Sequence, residues 1–339
     1  MRTPRTLSEF KTEIQKNFRA NSDEDGFGKA DYLKAYLIES NSFDVPIMDK
    51  FNPWKKLENS INWYVSDSQR GYFVLNKTSD RIWTLYTTMS VSAADAFVAK
   101  WMKSNINLDN CWISKTQLQN FGKKQKWTER GIGVRYNDLF AESDKAGRFS
   151  MKVWYGNSNS VVIKKELDRI KKEYSITSIR WNEMNNGSTS MTSEWYTNGK
   201  ITIKNSENPN DAFQKINEMS GRYLDSITEA TKMRDKNNNS FEFEFKQKIN
   251  LEKYTEATLK AKKNLKLWLM EINSDSDFKR YSGIDTHTWD GIYLDLASNY
   301  AYMNIPKGCV NAAPRFATIQ GSEIAGDMKI YYDGVEIFV

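Results

Sequence analysis

Residues 208–230 read NPNDAFQKINEMSGRYLDSITEA and carry the clearest structural signal in the sequence. Asn208 can cap a helix, and Pro209 suits the first helical position because the N–H that proline lacks has no partner there. Apolar side chains then recur at helical spacing: Phe213, Ile216, Met219, Tyr223, Ile227 and Ala230. The stretch predicts one long amphipathic helix whose apolar stripe packs against another layer.

Three short runs typical of β-strands precede this helix and predict the layer that it covers. They lie at residues 178–181, 194–197 and 200–204, and Asn198-Gly199 joins the last two as a hairpin turn. A meander followed by a helix on one face is typical of an antiparallel sheet with one covered side.

The same order, strands and then a helix, occurs twice earlier in the chain. The predicted elements are strands at 61–65, 72–75 and 82–87 with a helix from about Ser92, and strands at 131–136 and 149–155 with a helix after Ser160. No residue pattern recurs at a fixed period, so the sequence leaves open whether these units are true repeats.

The two ends of the chain differ in pattern. Two helices are predicted near the N-terminus, one that begins at Thr6 and one at about residues 29–39. After residue 264, glycines divide the chain into short strands with no helical run between them. The predicted fold class is therefore α+β: antiparallel sheets built from meander-plus-helix units with helices on one face, followed by a mostly β C-terminal domain.

The length of 339 residues allows several domains with cores of their own. The changes in pattern predict four parts: an N-terminal helical segment at 1–50, an α+β domain at 51–175, an α+β domain with the long amphipathic helix at 176–263, and the mostly β domain at 264–339.

Composition limits the partners and the compartment. A net charge of +6 favours anionic partners, although it is spread over a long chain. The two cysteines, Cys111 and Cys309, lack CxxC spacing, which argues against a disulfide scaffold or a zinc finger and fits a reducing compartment. The first residues lack the apolar core of a signal peptide, and no apolar run is long enough to span a bilayer. We therefore expect a soluble, cytoplasmic protein without a membrane partner.

The segment KKQKWTERGIGVRY at residues 123–136 combines basic side chains, aromatic side chains and glycines. Bases stack on aromatic rings while lysine and arginine neutralise phosphates, so this composition suits single-stranded nucleic acid or an RNA loop. The predicted contact residues are Lys123, Lys124, Lys126, Trp127, Arg130, Arg135 and Tyr136. Solvated helix faces explain the other basic runs of the chain equally well, because acidic residues interrupt them.

The single histidine, His287, lies in the stretch GIDTHTWDG at residues 283–291. In an extended chain Asp285 and His287 point to one face, where the carboxylate can orient the imidazole or both can hold one metal ion. Cys309 is a candidate nucleophile that His287 would activate, with Asn311 as the orienting group. A structural interpretation competes, since a histidine beside turn residues and a lone cysteine commonly serve packing and hydrogen bonding.

Motifs of established enzyme classes do not occur: the sequence has no phosphate-binding loop, HExxH, GxSxG or paired CxxC. We therefore predict a non-catalytic binding or assembly protein that contacts nucleic acid or a nucleoprotein complex through segment 123–136 and the open face of a sheet. One alternative is a metal-dependent phosphodiesterase or nuclease that uses Asp285 and His287. Another is a purely structural subunit that meets only proteins.

Overall fold

The computed structural model describes residues 3–22, 32–42, 44, 53–77, 79–137, 148–155, 161–245, 248–260, 265–275, 277–323 and 328–339. Within these residues the chain forms helices and two antiparallel sheets, and its C-terminal part is mostly β, which confirms the predicted α+β class. The chain divides into two compact units made of separate segments. The first unit comprises 1–111, 121–129 and 180–224, and the second comprises 112–120, 130–179 and 225–339.

The described helices are α1 (Leu7–Ser22), α2 (Val91–Ser104), α3 (Lys115–Lys124), α4 (Val161–Glu173), α5 (Pro209–Asn237), α6 (Leu251–Lys260) and α7 (Ala312–Glu323). The first nine strands are β1 (Leu33–Ser40), β2 (Lys55–Lys56), β3 (Trp63–Ser68), β4 (Gly71–Asn76), β5 (Ile82–Thr87), β6 (Leu108–Asn110), β7 (Thr128–Asn137), β8 (Arg148–Trp154) and β9 (Ser175–Asn185). The other nine are β10 (Ser188–Tyr196), β11 (Lys200–Ser206), β12 (Phe241–Glu244), β13 (Leu267–Ser274), β14 (Phe278–Asp285), β15 (Asp290–Ala297), β16 (Tyr300–Asn304), β17 (Lys329–Tyr332) and β18 (Val335–Ile337).

The sheet of the first unit has the strand order β2-β3-β4-β5-β1-β11-β10-β9, and β6 also pairs with β1. β1 lies in its interior, with Lys34 opposite Thr87 of β5 and Leu33 opposite Ile203 of β11. All eight residues of β1 are buried, so apolar and polar positions do not alternate along it. The predicted helix at residues 29–39 is therefore wrong for the described residues 33–39, because a strand buried on both faces lacks the period that distinguishes it from a helix.

The predicted long helix is α5, and its stripe is buried as expected. The side-chain oxygen of Asn208 accepts a hydrogen bond from the N–H of Asn210 at 3.0 Å, which caps the helix. Phe213 packs on Phe10 of α1 and Tyr86 of β5, with ring centroids 5.9 and 5.0 Å apart. Aromatic contacts thus join both helices to one face of the sheet.

The predicted hairpin between β10 and β11 is confirmed, and its loop is Thr197–Gly199. Gly199 has a φ of 76°, in the left-handed region that side chains disfavour. A Cβ at this position would lie 2.7 Å from the carbonyl oxygen of Cys111. Glycine is therefore required here by both conformation and space.

The second unit contains the β7–β8 hairpin and an antiparallel sheet with the order β13-β14-β15-β16-β12-β17-β18. Phe241 and Phe243 of β12 are buried on the inner face, while Glu242 and Glu244 lie on the opposite face. Phe243 contacts Phe316 of α7 with ring centroids 4.8 Å apart. Helix α7 therefore covers the inner face of this sheet.

Helix α7 contradicts the prediction that the C-terminal region has no helical run. The helix begins at Ala312, and Pro314 lies in its first turn, where the missing N–H costs no helical hydrogen bond. The glycine pattern predicts breaks between strands at Gly308 and Gly321, but Gly308 lies shortly before this helix and Gly321 lies within it.

Candidate functional site

The lysines of segment 123–136 lie at the end of α3. Lys123, Lys124 and Lys126 are exposed. The N–H of Lys126 donates to the carbonyl of Lys123 at 3.0 Å, and the N–H of Trp127 donates to the carbonyl of Gly122 at 2.9 Å. This pair of bonds is a Schellman motif, in which Lys126, with a φ of 58°, occupies the left-handed position that glycine usually takes. The lysines therefore belong to a helix end, not to a strand.

Trp127 turns into the core from this helix end. It is only 6% exposed and packs against Phe121 and Trp195, with ring centroids 5.3 and 5.6 Å away. A ring in this position has no free face for a nucleotide base. Trp127, one of the two aromatic members of the predicted nucleic-acid surface, is thus a core residue.

The two arginines of the segment lie on β7 and point to opposite faces of that strand, because they are five positions apart. Arg130 shares a face with the buried Ile132 and Val134. Arg135 is exposed on the other face. Tyr136 belongs to the same strand, and its side chain lies outside the described part of the structure.

The predicted chemical residues gather in what we call the buried turn cluster: Asp285, His287, Cys309 and Arg315. Asp285 ends β14 and organises the turn to β15. Its carboxylate accepts a hydrogen bond from the N–H of His287 at 2.9 Å, and its carbonyl accepts one from the N–H of Trp289 at 2.7 Å. The acidic side chain therefore fixes the backbone that carries the histidine.

Arg315 of α7 forms an ion pair with Asp285, its Nη2 atom 2.7 Å from Oδ1, and both side chains are fully buried. The other oxygen of Asp285, Oδ2, is also buried and has no hydrogen-bond partner among the described residues. Sequence reasoning missed this arginine. The available signal was a single cation among the small and apolar residues of AAPRFATI at 312–319.

Cys309 is held at the N-terminal side of α7. Arg234 of α5 donates a hydrogen bond to the carbonyl of Gly308, and the N–H of Asn311 donates to Sγ of Cys309 at 3.4 Å. A ring nitrogen of His287 and Sγ of Cys309 lie within 4.8 Å of each other. The structure thus brings together the histidine and the cysteine that the sequence predicts as a pair.

Burial limits what the buried turn cluster can do with a substrate. Asp285 and His287 are 0% exposed, and Cys309 is 7% exposed. Asp285 already accepts the N–H of His287 and pairs with Arg315. The cluster also contains the imidazole nitrogen of His287 and the thiol sulfur of Cys309. Borderline and soft metal ions prefer ligand atoms of these two kinds.

The opposite face of the same sheet, which we call the outer face, is rich in apolar side chains. Trp268 is 57%, Met270 58% and Tyr293 51% exposed. The register aligns them, since Met270 lies opposite Ser282 of β14 and Ser282 lies opposite Tyr293 of β15. These three side chains form an exposed apolar area on neighbouring strands.

Charged side chains also lie on the outer face, beside Tyr300, Tyr302 and Tyr331. Among the described residues they are Arg280, Lys329, Glu242, Glu244, Asp295 and Glu336. Two cations and four anions give a net charge of −2. The pKa of Lys329 is raised, chiefly by its hydrogen bond to Glu336, and the hydrogen bond to Asp295 raises the pKa of Arg280. The cations are thus paired locally, and the face as a whole is acidic.

Comparison with known proteins places the chain among relatives of similar length. The model of a family described as "MJECL33-like protein" matches residues 5–328. A protein of Methanocaldococcus jannaschii, named "Uncharacterized protein MJECL33", is 22% identical over an alignment of 335 positions, and the match covers 84% of this chain and 82% of the relative. None of the described helices is long and apolar enough to cross a membrane.

Proposed function

We propose that this chain, which belongs to the MJECL33-like protein family, is a non-catalytic assembly protein that binds a protein partner through the outer face. The observation that carries the proposal is the aligned set of Trp268, Met270 and Tyr293, each more than half exposed. Aromatic residues and methionine are enriched at protein interfaces, and a contiguous exposed apolar area commonly marks such a site.

The charge of the outer face favours a protein over nucleic acid. Its net charge of −2 repels phosphates, whereas nucleic-acid binding depends on lysine and arginine that displace counterions. A partner with basic side chains around an apolar centre complements both features. We therefore assign the partner as a protein with a basic contact surface.

The buried turn cluster supports the non-catalytic part of the proposal. Its carboxylate and its imidazole are 0% exposed, and the carboxylate neutralises a buried guanidinium. A phosphodiesterase that uses Asp285 and His287 needs both side chains at a surface that a substrate reaches. Their burial supports a structural role for these residues.

Site-specific photo-crosslinking in cells that naturally produce this protein tests the proposal directly. A photoreactive amino acid replaces Tyr293, and the control carries it at Val335, which is 55% exposed on the last strand of the same sheet. We expect discrete protein adducts from position 293 that position 335 does not give. The proposal would be overturned if position 293 gave adducts with nucleic acid, if both positions gave the same adducts, or if position 293 gave no adduct.

Nucleic-acid binding is the second candidate, favoured by the three exposed lysines at the end of α3. Its test is a salt titration of binding to a single-stranded oligonucleotide. The variant is Lys123→Glu/Lys124→Glu, and the control Lys100→Glu/Lys103→Glu makes the same charge change on exposed positions of α2. Binding that weakens with salt and is lost only in the first variant would replace the proposed function.

A further inference from the structure

We propose that His287 and Cys309 bind a thiophilic d10 metal ion, zinc(II) or copper(I). The site belongs to the interior side of the second unit's sheet, so the inference goes beyond the proposed function at the outer face. It rests on the approach of two donor atoms from separate elements, the turn after β14 and the segment before α7.

The distance between the donors suits one shared ion. The bond length from zinc is about 2.3 Å to sulfur and about 2.0 Å to nitrogen. An ion on the straight line between the two donors therefore binds atoms up to about 4.3 Å apart. The ring nitrogen and Sγ lie within 4.8 Å of each other. A small rotation of either side chain spans any remaining difference.

Hydrogen bonds fix the backbone that carries each donor. The backbone N–H of His287 donates to the carboxylate of Asp285 at 2.9 Å. The loop of Cys309 is fixed through the carbonyl of Gly308 by Arg234. The N–H of Asn311 donates to Sγ at 3.4 Å, and N–H groups that point at a ligand sulfur stabilise a metal-bound thiolate.

The chemistry of the donors selects the ion. Thiolate and imidazole prefer zinc(II) and copper(I), whereas magnesium and calcium prefer oxygen ligands. Arg315 pairs with Asp285 and so occupies the carboxylate that holds the backbone of His287. Copper(I) is stable with two ligands, while zinc(II) requires further donors such as water, so we expect copper(I) to bind more tightly.

Metal titration of the purified full-length chain against a competing chelator tests the site. We expect one equivalent of copper(I), or of zinc(II) more weakly, and affinity lower on the order of 100-fold in Cys309→Ser and His287→Asn. Cys111→Ser is the matched control, because Cys111 is the other of the chain's two cysteines and is also buried. It should bind like the unmodified chain.

Two measurements on the unmodified chain keep the proposal testable if a variant fails to fold. Metal should protect Cys309 but not Cys111 from alkylation after brief denaturant pulses, read by mass spectrometry. Metal should also shift the NMR resonances of the imidazole. These resonances belong to His287, because the sequence has one histidine. The site would be overturned if neither ion bound, or if Cys111→Ser lost as much metal affinity as Cys309→Ser. It would also be overturned if Cys309→Ser kept full affinity, or if metal protected both cysteines equally from alkylation. None of these outcomes bears on crosslinking from position 293.

Discussion

The two faces of the second unit's sheet invert the usual distribution of residue types. Its inner side carries a carboxylate, a guanidinium and an imidazole, all fully buried, while its outer face exposes more than half of Trp268, Met270 and Tyr293. Buried charges are costly unless paired, and exposed aromatic side chains gain nothing from folding. The comparison teaches that polar groups are tolerated inside this unit where they are paired, whereas the exposed apolar side chains contribute little to its stability.

The largest expected effect comes from removing one charge of the inner side. Arg315→Met leaves the Asp285 carboxylate buried without its cation, so the free energy of unfolding should fall by about 3 to 5 kcal/mol. Chemical denaturation measures the change. Asp285→Asn/Arg315→Met removes both charges and should recover part of the loss. A double variant that is no more stable than the single one would mean that the ion pair is not the cause.

A second large effect is expected at Trp127, one of the two aromatic residues that the sequence assigns to a nucleic-acid surface. Because it is 6% exposed and contacts two core rings, Trp127→Ala should lower the free energy of unfolding by about 3 kcal/mol. Urea denaturation followed by circular dichroism provides the value. A loss below about 0.5 kcal/mol would place this ring at the surface and restore it as a candidate for base stacking.

An intermediate effect concerns alkaline pH and the inner-side residue Tyr281. The pKa of Tyr281 is raised from 10.0 to about 12, chiefly by burial; the carboxylate of Glu271 adds to the rise, and the hydrogen bond with Thr255 opposes it. The folded-state pKa is the higher one, so the stability this group contributes is complete below pH 10 and is lost as pH rises to about 12. The stability difference between the unmodified chain and Tyr281→Phe should therefore decrease over this window and stay constant below it. Denaturation at a series of pH values measures it, and a constant difference throughout would contradict the assignment.

The smallest effect on stability is expected at the outer face. Trp268→Ala and Tyr293→Ala should each change the free energy of unfolding by no more than about 0.5 kcal/mol, because both side chains are already more than half exposed. Thermal unfolding tests this. A loss comparable to that of Trp127→Ala would show that these rings support the fold, and the contrast between the two faces would disappear.

Helix α5 and strand β1 show which parts of the fold are predictable from sequence. The amphipathic stripe of α5 and its Asn208 cap are local patterns, and both are confirmed. β1 is enclosed on both faces by long-range packing, so its sequence has no two-residue period to identify it. Helix α7 has Pro314 in its first turn, where it is tolerated, although proline elsewhere ends a helix.

The candidate sites divide in the same way. Residue type alone identified Asp285, His287 and Cys309, and the structure places a ring nitrogen of His287 within 4.8 Å of Sγ of Cys309. The pairing of Asp285 with Arg315 depends on how α7 lies on the sheet, which no local pattern records. The outer face depends likewise on strand register, because Met270 and Tyr293 are aligned only through Ser282. The division into four parts that the sequence predicts stays a prediction.

The two compact units are interleaved along the chain, which passes between them after Cys111, Asn120, Glu129, Ile179 and Leu224. Removal of 225–339 would therefore strip one unit of most of its strands while leaving its remnants, 112–120 and 130–179, attached to the other. Shortening the gene from either end cannot yield one intact half. Genetic dissection of this protein must proceed by point substitution within the uncut chain.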